Sequence, residues 1–369
     1  MTNKEKISLI TQGLEEVLVE QDLNEFLEKK IPLKHYIGFE ISGKIHLGTG
    51  LMTALVIKNL QQAGVQCAIF LADWHTWLNK KLKGSGLDVI KKVAVGYFKE
   101  GFKASLSCVG ANPGKVKFVL GSDLYHNNDE HWIRFAQICQ KLSLARVQKS
   151  LDITGRKIGE NIDFGTLLYP PLQVSDIFAL KINLAHSGTD QRKAHVLMRE
   201  VGDKIVGGYK AVALHHHLLL GLNKPLNWPI NQENLREVKV QMKMSKSKPE
   251  SAVFIHDSPE EIQMKIENAF CPIKETEFNP ILDWIKYLIF PIENELTILR
   301  KKEYGGDIVY KDFNQLEGDY KNGSLHPQDL KAAVAKSLIK TLEPIRKHFQ
   351  KPGPKKMLRE LEELMSVPG

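Results

Sequence analysis

Residues 36–71 constrain the fold of this chain more than any other stretch. Tyr36 to Glu40 reads as a short strand, and Ile41 to Lys44 as its end. His46, Leu47, Gly48, Thr49 and Gly50 then form a glycine-rich turn. A helical run from Leu51 to Ala63 follows, Gly64 stops it, and Val65 to Leu71 is an apolar strand. Strand, glycine turn, helix, glycine, strand is the opening βαβ unit of a parallel α/β sheet.

The pattern continues on both sides. Residues 3–30 read as helices, with leucines at helical spacing among acids and lysines. Asp88 to Glu100 is helical, Val116 to Leu120 is a strand candidate, and His131 to Gln148 reads as one long helix. Ile177 to Ile182 is an apolar run, Arg192 to Val201 reads as helix, and Val212 to Leu220 is apolar with three histidines. Residues 1–221 thus read as N-terminal helices and one α/β domain with a helical insertion at about 85–160. Residues 222–250 are rich in Pro, Asn, Lys and Ser and read as a mobile connection longer than a compact domain needs. Ser258, Pro259, Glu260 and Glu261 form a helix start with a serine cap and a first-turn proline. Helical patterns at 279–290, 311–321, 327–350 and 355–364 make 251–349 a mainly helical domain. Residues 350–369 form a basic, breaker-rich joint and a last short helix, free either to dock or to stay loose.

Composition narrows the class. Lysine and arginine number 51 against 43 acids, a surplus that favours an anionic partner such as nucleic acid without identifying one. Cys67, Cys108, Cys139 and Cys271 are far apart and form no CxxC pair, so neither a disulfide scaffold nor a structural metal site is expected. There is no charged leader followed by an apolar run and no stretch near 18 apolar residues, so a cytoplasmic protein without a membrane span is expected.

Two elements suit phosphate. In the turn at 46–50, glycines let the backbone approach a ligand, and the helix that follows offers free amides and a positive dipole end. An ordinary βα turn uses glycine in the same way, and the P-loop pattern is missing. In the connection, Lys243, Met244, Ser245, Lys246 and Ser247, with Lys239 and Lys248 nearby, suit a mobile clamp on a polyphosphate. A solvated basic linker would have similar composition.

Together, His46-Leu-Gly-Thr and Lys243-Met-Ser-Lys-Ser resemble the two signatures of class I aminoacyl-tRNA synthetases, in the same order and setting. Three further stretches, Tyr36 to Glu40, Tyr169 to Asp176 and Ser187 to His195, are similar to the tyrosyl-tRNA synthetases of the archaeal and eukaryotic branch. So is Ala269 to Pro272, and the likeness runs from about residue 5 to about residue 349. It implies a Rossmann-like catalytic domain with a helical insertion, followed by a helical anticodon-binding domain. Three positions depart from the family pattern. Thr49 stands where a second signature histidine is usual, Ile41 where proline is common, and Ser187 where a glycine is usual. A threonine hydroxyl donates one hydrogen bond but carries no positive charge. Activation would then lean more on the lysines.

The resemblance also implies roles. Tyr36 and Asp176 would read the substrate phenol, the tyrosine able to donate and the carboxylate to accept. A site that bonds the hydroxyl rejects phenylalanine far better than an apolar slot does. Tyr169, Gln173 and Gln191, with Glu40 nearby, would hold the α-amino end, and His75 would line the pocket. Gln173 and Asp176 would bracket one ligand if they share a helix. Gly38 and Gly48 would make room for ATP and Asp190 would take a ribose hydroxyl. His46, Thr49, Lys243, Met244, Ser245, Lys246 and Ser247 would meet the phosphates with Mg²⁺. No resident metal site is implied. Arg192 would face the acceptor stem of tRNA(Tyr), while Tyr304, His326 and Asp329 would grip the first anticodon base. The family works as a homodimer, with Trp132 and Phe135 as interface or core. A tryptophanyl-tRNA synthetase is the nearest rival reading, and Tyr36 with Asp176 argues against it. A nucleotidyltransferase without tRNA is more distant, and the helical C-terminal domain opposes it. An inactive RNA-binding relative has only Thr49 in its favour.

Overall fold

The computed structural model describes residues 1–155, 163–205, 209–229, 238, 242–244, 246 and 248–366. The chain opens with helix α1 (Asn3–Thr11), capped by Thr2 and Glu5. The expected helical run over 3–30 is then interrupted by strand β1 (Leu14–Leu18) before α2 (Glu20–Glu28). The segment Leu14-Glu-Glu-Val-Leu18 has helical composition, but its backbone pairs antiparallel with a strand two hundred residues on, and that tertiary pairing decides its state.

The βαβ unit forms as β2 (Lys34–Phe39), α3 (Leu47–Gln62) and β3 (Gln66–Leu71), but α3 starts four residues before the expected Leu51: the stretch read as a glycine turn is the His46 cap and the first helical turn. Helix α3 buries Leu47, Leu51, Ile57 and Leu60 completely, and residues such as Thr53 and Val56 on its other sides are also enclosed. It is therefore a central core helix rather than a surface one. Each such leucine or isoleucine contributes about 1.5–3 kcal/mol by leaving water.

After β3 come α4 (Asp73–Leu78), then α5 (Leu87–Val93), which continues through a π turn at Ala94–Phe98 into α6 (Lys99–Cys108). Strand β4 (Val116–Leu120) follows. The interval read as a helical insertion thus carries a strand of the main sheet. The helix read as His131–Gln148 starts earlier and breaks. It is α7 (Asp129–Lys141), then a separate turn at Leu144–Gln148 that Ser143 caps. Next come α8 (Tyr169–Ala179), β5 (Leu184–Gly188), α9 (Arg192–Ile205) and β6 (Val212–His216). The apolar run at 177–182 is the end of α8 and the turn after it, and β5 was not foreseen.

Among the described residues the main sheet has the order β1-β6-β5-β2-β3-β4, parallel throughout except for β1. C-terminal to it, α10 (Pro259–Glu267) begins at the expected Ser258/Glu261 capping box. Helix α11 (Pro280–Trp284) and its continuation lead to a small hairpin, β7 (Leu296–Ile298) with β8 (Ile308–Tyr310). The long α12 (Pro327–Gln350) packs on α10 and α6, and α13 (Pro352–Ser366) folds back on α12 and on the π turn. The last helix is docked, with Leu361 fully buried. The four cysteines are free, and no described helix is long and apolar enough to cross a membrane.

Candidate active site

In the sheet, β2 and β5 are neighbours, and the chain leaves them toward opposite edges: β3 and β4 on one side, β6 on the other. This is a switch point, where an open α/β sheet leaves a crevice beyond the carboxyl ends of its strands. A cavity of about 820 Å³ lies there, lined from β2, the turn after it, α8, β5, β6 and Lys243, Met244, Lys246 and Lys248.

Tyr36 lies at its floor. On the same face of β2, Gly38 has no side chain, and a Cβ there would sit 2.5 Å from the Tyr36 hydroxyl. Gly38 thus leaves room for the Tyr36 hydroxyl, and it lines the cavity. Gln173 and Asp176 do share one helix, α8. Asp176 is fully buried and absent from the open wall. Its Oδ1 accepts from Tyr125 Oη at 2.9 Å, its Oδ2 has no hydrogen-bond partner, and His75 Nε2 stands 3.6 Å from that oxygen. Burial raises the Asp176 carboxyl well above its usual range, against the Tyr125 bond, and raises Tyr36 likewise. Burial also pushes His75 down to about 3, so the ring is neutral. His75 comes from the first helical turn of α4, just past β3. Gln173 Oε1 and both His75 nitrogens are also buried without partners. Each such orphan costs about 1–3 kcal/mol until a ligand supplies the missing bond.

Beside them, Glu40 accepts from Asn79 Nδ2 at 2.7 Å and from the Tyr169 hydroxyl. Burial raises the Glu40 carboxyl, against Asn79 and the nearby Lys81 and Lys246. The Tyr169 ring stands edge-on to His75 with centroids 4.6 Å apart. Gln191, in the short turn after β5, donates to the carbonyl of Ile153 at 2.8 Å.

The opposite end is basic. His46 caps α3: its Nδ1 accepts from Thr49 N at 3.3 Å, and Nε2 lies 3.2 Å from Thr49 Oγ1. Gly48 leaves room for that ring, since a Cβ would lie 3.3 Å from it. Behind the turn, Val253 O accepts from Leu47 N at 3.0 Å, and Ile255 N donates to Ile45 O at 3.0 Å. Lys246 Nζ donates to Ser42 Oγ at 3.0 Å and lies 5.3 Å from the centre of the Phe98 ring. Lys243 is ion-paired with Asp190, and Met244 is buried. Lys239, Ser245 and Ser247 lie outside the described residues. Burial, with Lys246 and Lys243 adding to it, pushes His46 down to about 3. His46 is therefore a neutral hydrogen-bonding ring, and positive charge comes from the lysines. Burial lowers Lys246 itself to about 8, with Lys81 and Lys243 adding to that and Glu40 opposing.

Several residues in the wall or behind it carry no motif in the sequence. Tyr125 follows β4, Asn79 ends α4 and Ser42 lies in the turn after β2. Under the cavity, imidazoles of three neighbouring strands form a chain: His35 Nε2 to His186 Nδ1 at 3.0 Å, and His186 Nε2 to His216 Nδ1 at 2.8 Å. Only the three histidines from 215 to 217 were noticed in the sequence. The groups outside the cavity are also placed. Arg192 pairs with Glu16 at 2.8 Å and is half exposed. Tyr304 is exposed, and His326 caps α12 by accepting from Gln328 N at 3.2 Å. Arg300 ties these last two segments together, donating to Gly306 O at 3.0 Å and Ser324 O at 3.1 Å. Trp132 Nε1 donates to Tyr125 O at 3.2 Å and Phe135 packs on Trp132; both are partly buried against the core cluster.

Residues 28–343 match the family model of the class I tRNA synthetases (W and Y), and the chain belongs to that family. It is 52% identical to the Tyrosine--tRNA ligase of Thermococcus kodakarensis, over 98% of this chain and 99% of that protein. A crystal structure of tyrosyl-tRNA synthetase complexed with L-tyrosine from Pyrococcus horikoshii superposes with a TM-score of 0.93 at 50% identity, covering 98% of this chain and 100% of that one. A tryptophanyl-tRNA synthetase from Aeropyrum pernix shares the fold only, at 18% identity and a TM-score of 0.66 over 92% of this chain and 84% of that one.

Proposed function

We propose that this chain is a tyrosine--tRNA ligase: it activates L-tyrosine with ATP to tyrosyl-adenylate and pyrophosphate, then transfers tyrosine to the 3′ end of tRNA(Tyr). The observation that carries the reading is the buried, unpartnered Oδ2 of Asp176, close to Tyr36, which lines the cavity. A phenol O–H donating to Oδ2 and accepting from Tyr36 satisfies both, and an indole offers no such oxygen. Gln173, Tyr169, Gln191 and Glu40 surround the α-amino end. The tyrosine carboxylate then points toward the basic end, where ATP lies.

In the first step the carboxylate oxygen attacks the α-phosphorus and pyrophosphate leaves. In the second, a terminal ribose hydroxyl of tRNA attacks the carbonyl carbon and AMP leaves. The chain contributes placement and charge rather than a covalent nucleophile. Lys243 and Lys246 offset charge growing on the leaving phosphates, with the Mg²⁺ that accompanies ATP. Neutral His46 and Thr49 donate hydrogen bonds there. Asp190 exchanges its Lys243 partner for a ribose hydroxyl. Arg192 meets the acceptor stem, and Tyr304, His326 and Asp329 take an unstacked anticodon base, the ring stacking and the carboxylate accepting. The enzyme works as a cytoplasmic homodimer. Ile133, 60% exposed on α7, fits the interface better than its partly buried neighbours Trp132 and Phe135.

Amino-acid-dependent exchange of pyrophosphate into ATP tests the reading. Exchange with tyrosine and not with tryptophan is expected; exchange driven by tryptophan would overturn it.

A further inference from the structure

The helix that closes the chain, α13, lies beyond the residues matched by the family model, and the sequence left its role open. It packs on the turn Ser42-Gly43-Lys44, which is also the seat of Lys246. Gly43 has φ +121°, and a Cβ built on it would lie 3.5 Å from Met365 Cε and 4.0 Å from Lys246 Cδ. Gly43 thus stands close to both the last turn of α13 and the lysine stem. Lys44 Nζ reaches Glu362 at 2.6 Å, and Ser42 Oγ accepts from Lys246 Nζ at 3.0 Å. The second support of Lys246 is the Phe98 ring, in the π turn. That turn is backed by the same helix: Met357 fills the space at Gly96, where a Cβ would lie 3.5 Å from its Cγ, and Lys92 pairs with Glu360 at 3.0 Å. Leu361, between these contacts, is fully buried.

We propose that α13 is a positioning element for ATP activation, with Met365 and Glu362 acting through Gly43 and Lys44 to hold the Lys246 ammonium at the phosphate end of the cavity. This rests on Lys246 meeting ATP, as argued above. The helix touches neither substrate, so its effect falls on nucleotide use alone. A misplaced lysine head loses its charge contact in the transition state while the tyrosine pocket, at the other end of the cavity, keeps its shape.

The test uses the full-length enzyme in tyrosine-dependent pyrophosphate exchange. Wild-type exchange establishes the underlying reading first. Met365→Ala is then expected to lower kcat/KM for ATP about tenfold, as for other mutations that act through a packed neighbour. KM for tyrosine stays within about twofold of wild type, as expected when only the nucleotide step is touched. Met365→Leu restores activity by refilling the contact at Gly43. Glu362→Lys gives a smaller loss in the same direction, reversed in the Lys44→Glu/Glu362→Lys pair. Unchanged ATP parameters in Met365→Ala, or equal loss for ATP and tyrosine, would overturn the proposal. Absence of exchange in the wild type would instead overturn the functional reading.

Discussion

Tyr125 donates its hydroxyl to Asp176 Oδ1 at 2.9 Å, and both side chains are buried. The bond leaves Oδ2 without a partner and counters, in part, the burial that raises the Asp176 carboxyl. Tyr125→Phe removes it without changing the ring. The expected result is a loss of about tenfold in kcat/KM for tyrosine, the scale of one hydrogen bond to a buried group. KM for ATP should not move. Pyrophosphate exchange with each substrate varied in turn checks this, and an unchanged kcat/KM for tyrosine would deny Tyr125 its role.

Lys246 sits near its own titration. Its ammonium is lowered to about 8, so the free enzyme carries the charge below that pH and loses it above. In wild type, kcat/KM for ATP should therefore fall as pH rises through about 8. Lys246→Arg, always charged, should flatten that limb. Lys246→Ala should cost about 3–4 kcal/mol of transition-state stabilisation while leaving tyrosine binding intact. A pH–rate profile of the three proteins, with tyrosine binding measured by calorimetry, decides it.

His217 joins the sheet to the C-terminal helices. Its Nε2 bonds Asp283 Oδ1 at 2.7 Å, its Nδ1 bonds Glu15 Oε2 at 3.2 Å, and its ring stacks on Tyr287 at 3.9 Å, with Lys286 beyond. Burial opposes its charge, but Asp283 and Glu15 outweigh this and hold it up to about 9. A pKa raised from 6.5 on folding adds stability that is fully present below pH 6.5 and lost as pH rises through 9. After discount for the exposed side of Glu15 the contribution is about 2 kcal/mol. Urea unfolding at pH 6 and pH 9.5 should show that difference in wild type, and little of it in His217→Gln.

His326 and Tyr304 are far from the chemistry in sequence and surface-exposed. His326→Ala should weaken charging of tRNA with tyrosine and leave pyrophosphate exchange as in wild type. Loss of both together would mean that the helix cap, not base recognition, is what His326 supplies.

Much of this was legible because glycine punctuates it. Gly64 marks the end of α3, although that helix starts at Leu47, inside the stretch read as a turn, and Ser258 with Pro259 marks the start of α10. What failed was set by distant partners. Strand β1 carries two glutamates and no alternation, and becomes a strand only through its pairing with β6. Strand β5 is short and buried on both faces, so no period marks it. At the site, Tyr36, Gln173, Asp176, His46 and Lys246 lie in recognisable stretches. Tyr125, Asn79 and the His35–His186–His216 chain meet the cavity only through tertiary packing, and no local spacing announces them.

The ratio of kcat/KM for tyrosine to that for phenylalanine, in wild type, Tyr36→Phe and Asp176→Ala, bears most directly on the central claim that a buried carboxylate and a phenol read the substrate hydroxyl. A preference of about 10⁴ or more is expected in wild type, collapsing toward the discrimination of a plain apolar slot in Asp176→Ala and falling in Tyr36→Phe. A ratio that survives both substitutions unchanged would contradict it.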